Sequence, residues 1–239
     1  KKNIKLVLGD IRDYDSVYNS MKGCTSVIHL AALIGIPYSY VSPLAYVKTN
    51  VEGTYNVLES GKNQSIDQLI ITSTSEVYGS AQFTPINEKH PLVGQSPYSA
   101  SKIAADNLAL TMFKACGIPI SIIRPFNTFG PRQSMRAIIP TIIAQLTNNQ
   151  KKNLKIGNLN SSRDFVYVND TVSAMLKVAE KGKNGEVYNV ANGKSFSLKD
   201  IIKIVEDYLG VEAKIILDKK RMRKADVFDL IGDNSKIKK

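Results

Sequence analysis

Short apolar runs alternate with longer amphipathic segments along the first 150 or so residues of the chain. The apolar runs are IKLVLG (4–9), SVIHLAA (26–32), DQLIITS (67–73) and IPISIIRP (118–125). The segments with helical periodicity that follow them are YDSVYNSMKG (14–23), PLAYVKTNVEGTYNVLESG (43–61), YSASKIAADNLALTMFKACG (98–117) and AIIPTIIAQLTN (137–148). Strand followed by helix, repeated, is typical of a parallel sheet whose faces are covered by helices. The pattern therefore predicts an α/β fold with a doubly wound parallel sheet.

After about residue 150 the rhythm changes to shorter strands mixed with helices. The segments are LKIG (154–157), RDFVYVND (163–170), a helix from about 170 to 181, GEVYNVAN (185–192), a helix over SLKDIIKIVEDYLG (197–210) and AKIIL (213–217). This order predicts a smaller mixed α/β lobe. We expect residues 1–150 to form a partial Rossmann-like, dinucleotide-binding domain with the catalytic residues, and residues 151–239 to form mainly a substrate-binding lobe, incomplete at its C-terminus.

A dinucleotide-binding sheet normally opens with a glycine-rich turn, which lets the backbone approach a pyrophosphate. No such motif opens this chain, and IKLVLG (4–9) corresponds to the third strand of the usual order. We therefore expect the first β–α units to be missing, and the chain to be a fragment, truncated at both ends, that is inactive by itself. A remnant that is unable to hold a cofactor stays open as an alternative.

Composition narrows the classes of protein. The chain has 239 residues and a formal charge of +11, but its basic residues are spread widely and concentrate near the ends, without the basic stripe or reader motif of a nucleic-acid-binding protein. No apolar run is long enough to span a membrane, and no signal peptide opens the chain. The few cysteines and histidines lack the spacing of a metal site. We expect a cytoplasmic protein that binds neither nucleic acid, membrane nor metal.

Candidate catalytic side chains follow the run DQLIITS. The sequence STSEVYG (73–79) brings small hydroxyls and Glu76 to the carboxyl end of a strand, which is where ligands bind in open α/β sheets. In SPYSASK (96–102), Tyr98 and Lys102 are four residues apart and share one helical face. An ammonium close to a phenol favours the phenolate, so this spacing predicts a lowered pKa for Tyr98 and a role as a base.

These segments together resemble the extended short-chain dehydrogenase/reductase family that modifies nucleotide sugars. The matching motifs are GDI (9–11), HLAA (29–32), TNVEGTYNVLE (49–59), STSEVYG (73–79), SPYSASK (96–102), RPFNTFGPRQ (124–133) and RDFVYVND (163–170). The resemblance implies tightly held NAD, with Tyr98 as the base at the C4 hydroxyl of a sugar. It further implies that Lys102 tunes Tyr98 and binds the nicotinamide ribose, and that Thr74 hydrogen-bonds the substrate.

The same resemblance assigns ligand contacts along the rim of the sheet. The cofactor-binding residues that it implies are Asp10, Ile11, Leu30, Ala31, Ala32, Ser73, Tyr98 and Lys102. The substrate-binding residues that it implies are Thr74, Asn127, Arg163 and Arg223, the last three near the diphosphate of a nucleotide sugar. Family members associate through the helices at 43–61 and 98–117, so the resemblance also implies a homodimer.

Glu76 separates the subclasses of this family. Members that only epimerise at C4 typically have no glutamate at this position, whereas 4,6-dehydratases and UDP-glucuronate decarboxylases resemble residues 74–76, and GDP-mannose dehydratases use the same Thr-Ser-Glu order. The implied reaction is oxidation at C4, removal of the C5 proton by Glu76, loss of the C6 hydroxyl as water, and return of the hydride to C6. The dTDP-glucose dehydratases carry an aspartate where this chain has Ser75, so the source of the proton for the leaving hydroxyl stays open.

Longer matches point to the substrate. The segments AALIGIPYSYVSPLAYVKTNVEGT, AQFTPINEKHPLVGQSPYSASK and RPFNTFGPRQSMRAIIPTII are most similar to the N-acetylglucosamine-nucleotide 4,6-dehydratases of legionaminic acid biosynthesis, which supply cell-surface polysaccharides. The resemblance implies a UDP- or GDP-linked N-acetylglucosamine as substrate and a 4-keto-6-deoxy sugar as product. A UDP-glucuronate decarboxylase and a C4-epimerase of the same fold stay open as alternatives.

Overall fold

The computed structural model describes residues 3–148, 152–159, 161–218 and 229–239. Its helices are α1 (Tyr14–Met21), α2 (Ile36–Ser39), α3 (Pro43–Tyr46), α4 (Gly53–Asn63), α5 (Pro97–Cys116), α6 (Ile138–Asn148), α7 (Val168–Lys181) and α8 (Leu198–Leu209). A π-helical turn, Val47–Glu52, joins α3 to α4, and a 3-10 turn spans Ser75–Val77. The strands are β1 (Ser26–His29), β2 (Gln68–Thr72), β3 (Ile120–Pro125), β4 (Asn127–Phe129), β5 (Asn153–Ile156), β6 (Ser162–Tyr167), β7 (Val187–Val190), β8 (Ser195–Ser197), β9 (Lys214–Leu217) and β10 (Asp229–Leu230).

The largest parallel ladder joins β1, β2 and β3, with β7 next to β3 in the strand order β1-β2-β3-β7. Ile70 is opposite Ile28 of β1 and Ser121 of β3, so the three strands are in close register. Because the strands are parallel and in register, their carboxyl ends lie at one edge of the sheet. The α/β fold with a parallel sheet that the sequence predicts is confirmed.

One predicted strand is absent. Residues 4–9, the run IKLVLG, have no strand conformation, and Ile4, Leu6 and Leu8 are largely exposed. An apolar run becomes a strand only where a neighbouring strand pairs with its backbone, and none of the described residues forms a ladder with this run. The prediction of a strand at 4–9 was therefore wrong for this structure, whereas strands and helices lie at the other predicted positions.

Contacts between residues divide the chain into two compact units. Unit 1 comprises residues 1–79, 92–124 and 173–188, and unit 2 comprises residues 80–91, 125–172 and 189–239. The functional division into a cofactor-binding part and a substrate-binding lobe stays a prediction, because contacts alone do not say which residues bind which ligand.

The core of unit 1 lies between its sheet and the helices α1, α4 and α5. Successive strand side chains point to opposite faces, and alternate residues of β2 and β3, such as Leu69, Ile71, Ile120 and Ile122, belong to this core. Burying one such side chain contributes about 1.5–3 kcal/mol. This packing fixes α5 against the sheet and so sets the position of every side chain along that helix.

Unit 2 has its own core and its own polar anchor. Helices α6 and α8 pack against β5 through Ile142, Leu154 and Ile201. The buried carboxylate of Asp164 on β6 accepts hydrogen bonds from three backbone N–H groups, those of residues 192, 193 and 232. These bonds hold the turn after β7 and the segment after β10 against β6.

Within the described parts of the chain no helix is long and apolar enough to cross a membrane. The described residues also contain no group of three or more His, Cys, Asp or Glu side chains that could hold a metal ion. Cys24 and Cys116 are free and exposed.

Candidate active site

Helix α5 begins at the rim of the sheet with a well-defined cap. Ser96 and Ser99 form a capping box, in which each side chain binds the other residue's backbone N–H, and proline occupies the first helical position. This start places Tyr98 in the first turn and Lys102 one turn later on the same face. Both are almost completely buried, at 8% and 2% exposure. The shared face that the sequence predicts is therefore present, but it is an interior face.

Thr74 and Glu76 approach Tyr98 from the end of β2. Thr74 caps the 3-10 turn by accepting a hydrogen bond from the backbone N–H of Glu76 at 3.2 Å. The Thr74 side chain also hydrogen-bonds Tyr98, and the charge of Glu76 acts on the same phenol. The carboxylate of Glu76 is half-buried and makes no hydrogen bond with any described residue. The structure thus brings together three residues that the sequence predicts to be catalytic, and leaves the carboxylate free.

The expected direction of the Tyr98 pKa was wrong. Burial raises the pKa of Tyr98 to about 12, and this effect outweighs the hydrogen bond from Thr74, which lowers it. The negative charge of Glu76 raises the pKa further. Lys102 is not among the groups that shift this pKa, because a spacing of four residues guarantees a shared helical face but not contact between the polar ends of two side chains. With this pKa, Tyr98 is a neutral phenol at neutral pH.

Lys102 instead reaches the backbone of β2. Its ammonium donates a hydrogen bond to the carbonyl oxygen of Thr72 at 2.8 Å. Burial lowers the pKa of Lys102, while the carboxylate of Asp106 opposes that effect. The lysine therefore lies at the junction of α5 and the strand end that leads into Thr74.

A second layer of buried polar residues supports this junction. Asn50, in the π-helical turn, bonds both backbone groups of residue 33 and the hydroxyl of Ser101, which follows Tyr98 on α5. The Thr54 hydroxyl donates to the carbonyl of Asn50, and its oxygen lies 3.1 Å from Nε2 of His29, within hydrogen-bond distance. These bonds connect the loop after β1 to α5.

His29 is a buried core residue with a polar partner. It is 5% exposed, and burial lowers its pKa to about 4, with a further contribution from the positive charge of Lys102. It is therefore neutral at neutral pH.

The reading of the sequence missed a buried ion pair next to these residues. Asp106 lies four residues after Lys102 on α5 and is 0% exposed, and Arg124, at the end of β3, is 2% exposed. One carboxylate oxygen, Oδ2, accepts hydrogen bonds from Arg124 Nε at 3.0 Å and from the Ser73 hydroxyl at 2.8 Å, and it forms an ion pair with Arg124 Nη2 at 3.0 Å. The helical spacing Tyr98–Lys102–Asp106 was the available signal for this residue.

Arg124 continues this network beyond Asp106. Its Nη1 donates to the hydroxyl of Tyr78 at 3.1 Å, and its guanidinium lies over the Tyr78 ring. Burial disfavours the charge of Arg124, but Asp106 and Tyr78 outweigh that effect, so the pKa of the guanidinium lies above its usual value.

A cleft of about 390 Å³ lies in unit 1 beside β1 and α1. Four of the predicted cofactor-binding residues line it: Asp10, Ile11, Leu30 and Ala31. Arg12 hydrogen-bonds both carboxylate oxygens of Asp10 and lowers the pKa of that carboxyl to about 2, so Asp10 carries a negative charge at neutral pH.

The close approach of Ile11 to α4 depends on a glycine. A side chain on Gly53 would come within 2.8 Å of Ile11, and the side-chain amide of Asn56 donates to the Ile11 carbonyl at 3.0 Å. Two other predicted cofactor contacts are placed differently from the four in the cleft. Ala32 follows the cleft residues and is partly buried, and Ser73 is buried with its hydroxyl bonded to Asp106.

Besides Thr74 in unit 1, the predicted substrate contacts lie in unit 2 or outside the described residues. Asn127 opens β4, and its side-chain Nδ2 is buried without a hydrogen-bond partner among the described residues. Arg163, in β6, donates from Nη1 to the carbonyl of Ser162 at 2.9 Å. Arg223 lies outside the described residues. The assignment of these three residues to a substrate stays a prediction.

A parallel Rossmann-like sheet whose rim carries a Tyr-x-x-x-Lys helix beside a Thr-Ser-Glu turn defines an extended short-chain dehydrogenase/reductase of the NAD-dependent epimerase/dehydratase kind. The family model described as GDP-mannose 4,6 dehydratase matches residues 1–239. The chain belongs to this family.

Known proteins agree with this family and fold. The dTDP-glucose 4,6-dehydratase of Streptomyces antibioticus is 33% identical over 208 residues, which are 87% of this chain and 62% of that protein. The chain thus spans less than two thirds of that relative. The structure of a dTDP-glucose 4,6-dehydratase from Streptomyces venezuelae, solved with NAD bound, has a TM-score of 0.91 at 27% identity and covers 100% of this chain and 73% of that one.

An epimerase is equally similar in structure. The UDP-N-acetylglucosamine 4-epimerase of Methanobrevibacter ruminantium M1, solved with UDP-N-acetylmuramic acid, has a TM-score of 0.91 at 30% identity. The matched region covers 100% of this chain and 76% of the epimerase. Overall similarity to solved structures therefore does not distinguish dehydratases from epimerases.

The buried His29 makes stability depend on pH. The unfolded state takes up a proton near the ordinary pKa of 6.5, whereas the folded state takes it up near 4. Between these values the unfolded state binds more protons, so stability falls as pH falls. Between pH 6.5 and pH 5 we expect His29 to cost the folded state about 2 kcal/mol. Urea unfolding of the wild type and of His29→Gln at both pH values measures this loss, which the variant should lack. Equal acid sensitivity of the two proteins would contradict it.

Proposed function

We propose that the protein carrying this chain is an NAD-dependent nucleotide-sugar 4,6-dehydratase. The observation that carries the proposal is the arrangement of Thr74, Glu76 and Tyr98. The phenol bonds the threonine hydroxyl, and the carboxylate is close enough for its charge to act on the phenol. An acid–base pair of this kind can act on adjacent carbons of one sugar ring.

The residues of the cleft fit NAD. The cleft runs along the edge strand β1 and reaches Leu30 and Ala31 just beyond its carboxyl end, the end of a parallel sheet at which dinucleotides bind. It combines the apolar side chains of Ile11 and Leu30 with the charged carboxylate of Asp10. In the proposal Asp10 and Ile11 lie beside the adenine, Leu30, Ala31 and Ala32 line the cofactor, and Ser73, Tyr98 and Lys102 complete the set. When bound, NAD supplies the reversible two-electron oxidation and reduction of the sugar.

Tyr98 and Thr74 act at C4 of the sugar. The Tyr98 oxygen takes the proton of the C4 hydroxyl, and the Thr74 hydroxyl hydrogen-bonds the same part of the substrate. Because burial holds the Tyr98 pKa at about 12, the phenol becomes a base only when further positive charge enters the site. In the proposal Lys102, whose ammonium bonds the Thr72 carbonyl, contacts the nicotinamide ribose in the assembled complex and favours the phenolate only there.

Glu76 acts at C5. A ketone at C4 makes the C5 hydrogen acidic, and the free Glu76 carboxylate removes it as a proton. The C5–H and C6–O bonds break, a double bond forms between C5 and C6, and water leaves. Residue 75 is a serine, so we infer that Glu76 returns its proton to the departing hydroxyl. The hydride removed from C4 then reduces C6, C5 takes a proton from solvent, and Tyr98 releases the proton of the C4 hydroxyl to solvent, which gives the 4-keto-6-deoxy sugar.

We infer that the substrate is an N-acetylglucosamine linked to UDP or GDP, and that the product enters legionaminic acid biosynthesis. The support is the similarity of the loop segments to enzymes of that pathway. In unit 2, the unpaired buried amide of Asn127 is a donor suited to a diphosphate, together with Arg163 and Arg223. C4-epimerisation is the second candidate, because an epimerase is among the similar structures.

The product mass tests the function. The full-length protein is incubated with NAD and, separately, with UDP-N-acetylglucosamine, GDP-N-acetylglucosamine, dTDP-glucose, GDP-mannose and UDP-glucuronate, and products are analysed by mass spectrometry. We expect loss of one water from an N-acetylglucosamine nucleotide. Loss of carbon dioxide from UDP-glucuronate would indicate a decarboxylase. An unchanged mass with inverted C4 would indicate an epimerase, and water loss only from dTDP-glucose or GDP-mannose would contradict the inferred substrate.

Glu76→Gln tests the elimination step. The amide keeps the shape of the side chain but cannot take the C5 proton, so we expect oxidation at C4 to persist while water loss falls by a factor of about 100 or more. Near-ultraviolet absorbance of the reduced cofactor reports the first step, and product mass reports the second. Glu180→Gln, at an exposed position on α7, is the matched control and should behave as the wild type. Normal keto-deoxy product from Glu76→Gln would remove Glu76 from the mechanism.

We infer that the protein is a homodimer. Along α3 and the π-helical turn, Leu44 and Val47 are exposed at 63% and 49%, and Tyr55 on α4 is exposed at 45%. Apolar side chains on one exposed helical surface favour association with a second copy. Light scattering should give twice the monomer mass for the wild type and a lower mass for Val47→Asp, whereas Val172→Asp, on α7, should leave the dimer intact. A monomeric wild type would contradict the inference.

A further inference from the structure

The residues that carry Thr74 and Glu76 are held at both ends by one buried ion pair. We call residues 73–78 the acid–base segment. At its start the Ser73 hydroxyl donates to Asp106 Oδ2 at 2.8 Å. At its end the Tyr78 hydroxyl accepts from Arg124 Nη1 at 3.1 Å. The two charged side chains are themselves joined through Nε and Nη2 of the guanidinium.

The elements that supply this pair are among the firmest parts of unit 1. Asp106 projects from the middle of α5, and Arg124 is the last but one residue of β3, a strand whose first five residues are all buried. The acid–base segment itself has little regular structure, since it contains one 3-10 turn between β2 and the turn at Gly79. Gly79 has φ +65°, and a side chain there would come within 2.0 Å of the Val93 carbonyl.

We propose that the Asp106–Arg124 pair is a positioning clamp that fixes the acid–base segment against Tyr98 by holding both of its ends. Neither charged residue is proposed to touch the substrate. Both act through Ser73 and Tyr78 on the placement of Thr74 and Glu76. The kinetic consequence of this inference rests on the proposed function, whereas the positional consequence does not.

The chemistry of the network favours a clamp over a simple stabilising ion pair. A buried ion pair contributes little net stability, because the cost of removing both charges from water offsets their attraction. Here Asp106 also accepts a hydrogen bond from Ser73, and Arg124 also donates one to Tyr78. Both of these partners belong to the acid–base segment. Hydrogen bonds to charged groups are stronger and more directional than those between neutral groups. The pair is therefore suited to fixing orientation.

Single-hydroxyl variants test the clamp without breaking the ion pair. Tyr78→Phe removes the bond to Arg124, and Ser73→Ala removes the bond to Asp106. Asp106→Asn is avoided, because it would leave the buried guanidinium unpaired. Tyr188→Phe and Ser121→Ala are matched controls, since each removes a partly or fully buried hydroxyl that bonds residue 183.

Hydrogen–deuterium exchange of the full-length, ligand-free protein measures the positional effect. The backbone N–H groups of residues 76–79 donate hydrogen bonds to residues 74–76, and these bonds protect the amides from exchange while the segment keeps the conformation of this structure. Loss of one clamp bond should speed exchange of this segment about fivefold, while the control variants should leave it at the wild-type rate. Unchanged exchange in both clamp variants, or equal acceleration in the controls, would overturn the proposal.

Kinetics measure the functional effect. Only Tyr78→Phe is used for them, because Ser73 is also a predicted cofactor contact and Ser73→Ala would change the cofactor site as well. We expect kcat for water loss to fall about fivefold with KM for the nucleotide sugar little changed, and solvent deuterium incorporation at C5 to fall more than oxidation at C4. Equal losses in Tyr78→Phe and Tyr188→Phe would contradict the clamp. A wild type without dehydratase activity would instead contradict the proposed function, and the exchange experiment would still decide on the clamp.

Discussion

The burial of charge is the constraint on which the candidate site depends. Lys102, Asp106 and Arg124 are each at most 2% exposed. Removing an ion from water costs several kcal/mol, so such charges persist only where partners are held in good geometry. The partners come from different elements, namely β2, β3, α5 and the residues after β2, so the register of the sheet and the packing of α5 must both be correct before these pairs form. The second carboxylate oxygen of Asp106, Oδ1, is buried without a hydrogen-bond partner among the described residues. The geometry of the candidate site therefore depends on correct packing of the core.

The same burial decides the ionisation of Tyr98. A lysine one helical turn away suggests a lowered pKa, but the ammonium of Lys102 is directed to the carbonyl of Thr72, and desolvation of the phenol dominates. The neutral phenol is therefore the low-energy form of Tyr98 at neutral pH. For a reaction that removes and then returns a proton, a base that ionises only in the assembled complex avoids holding an uncompensated buried anion at other times.

The sequence predicted the regular elements well, because the periodicity of residues 98–117 and of the apolar strands is a local property of the chain. It also placed Tyr98, Lys102 and the Thr-Ser-Glu turn at one rim. It did not predict the ion pair, whose hydrogen bonds span 18 residues to Arg124 and 33 to Ser73. In the sequence Ser73, Asp106 and Arg124 are polar residues within largely apolar segments, and only the tertiary packing brings their side chains together. The prediction of a strand at residues 4–9 failed for a related reason, because strand formation depends on a partner strand.

The spacing of charges along α5 links the clamp to the acid–base residues. Tyr98, Lys102 and Asp106 follow one another at intervals of four residues, about 6 Å each along the helix. Asp106 opposes the loss of the Lys102 charge on burial, and it also raises the pKa of Tyr98, but less than burial or Glu76 does. Coulomb energies fall with distance, so one carboxylate supports the nearer ammonium more than it opposes ionisation of the more distant phenol.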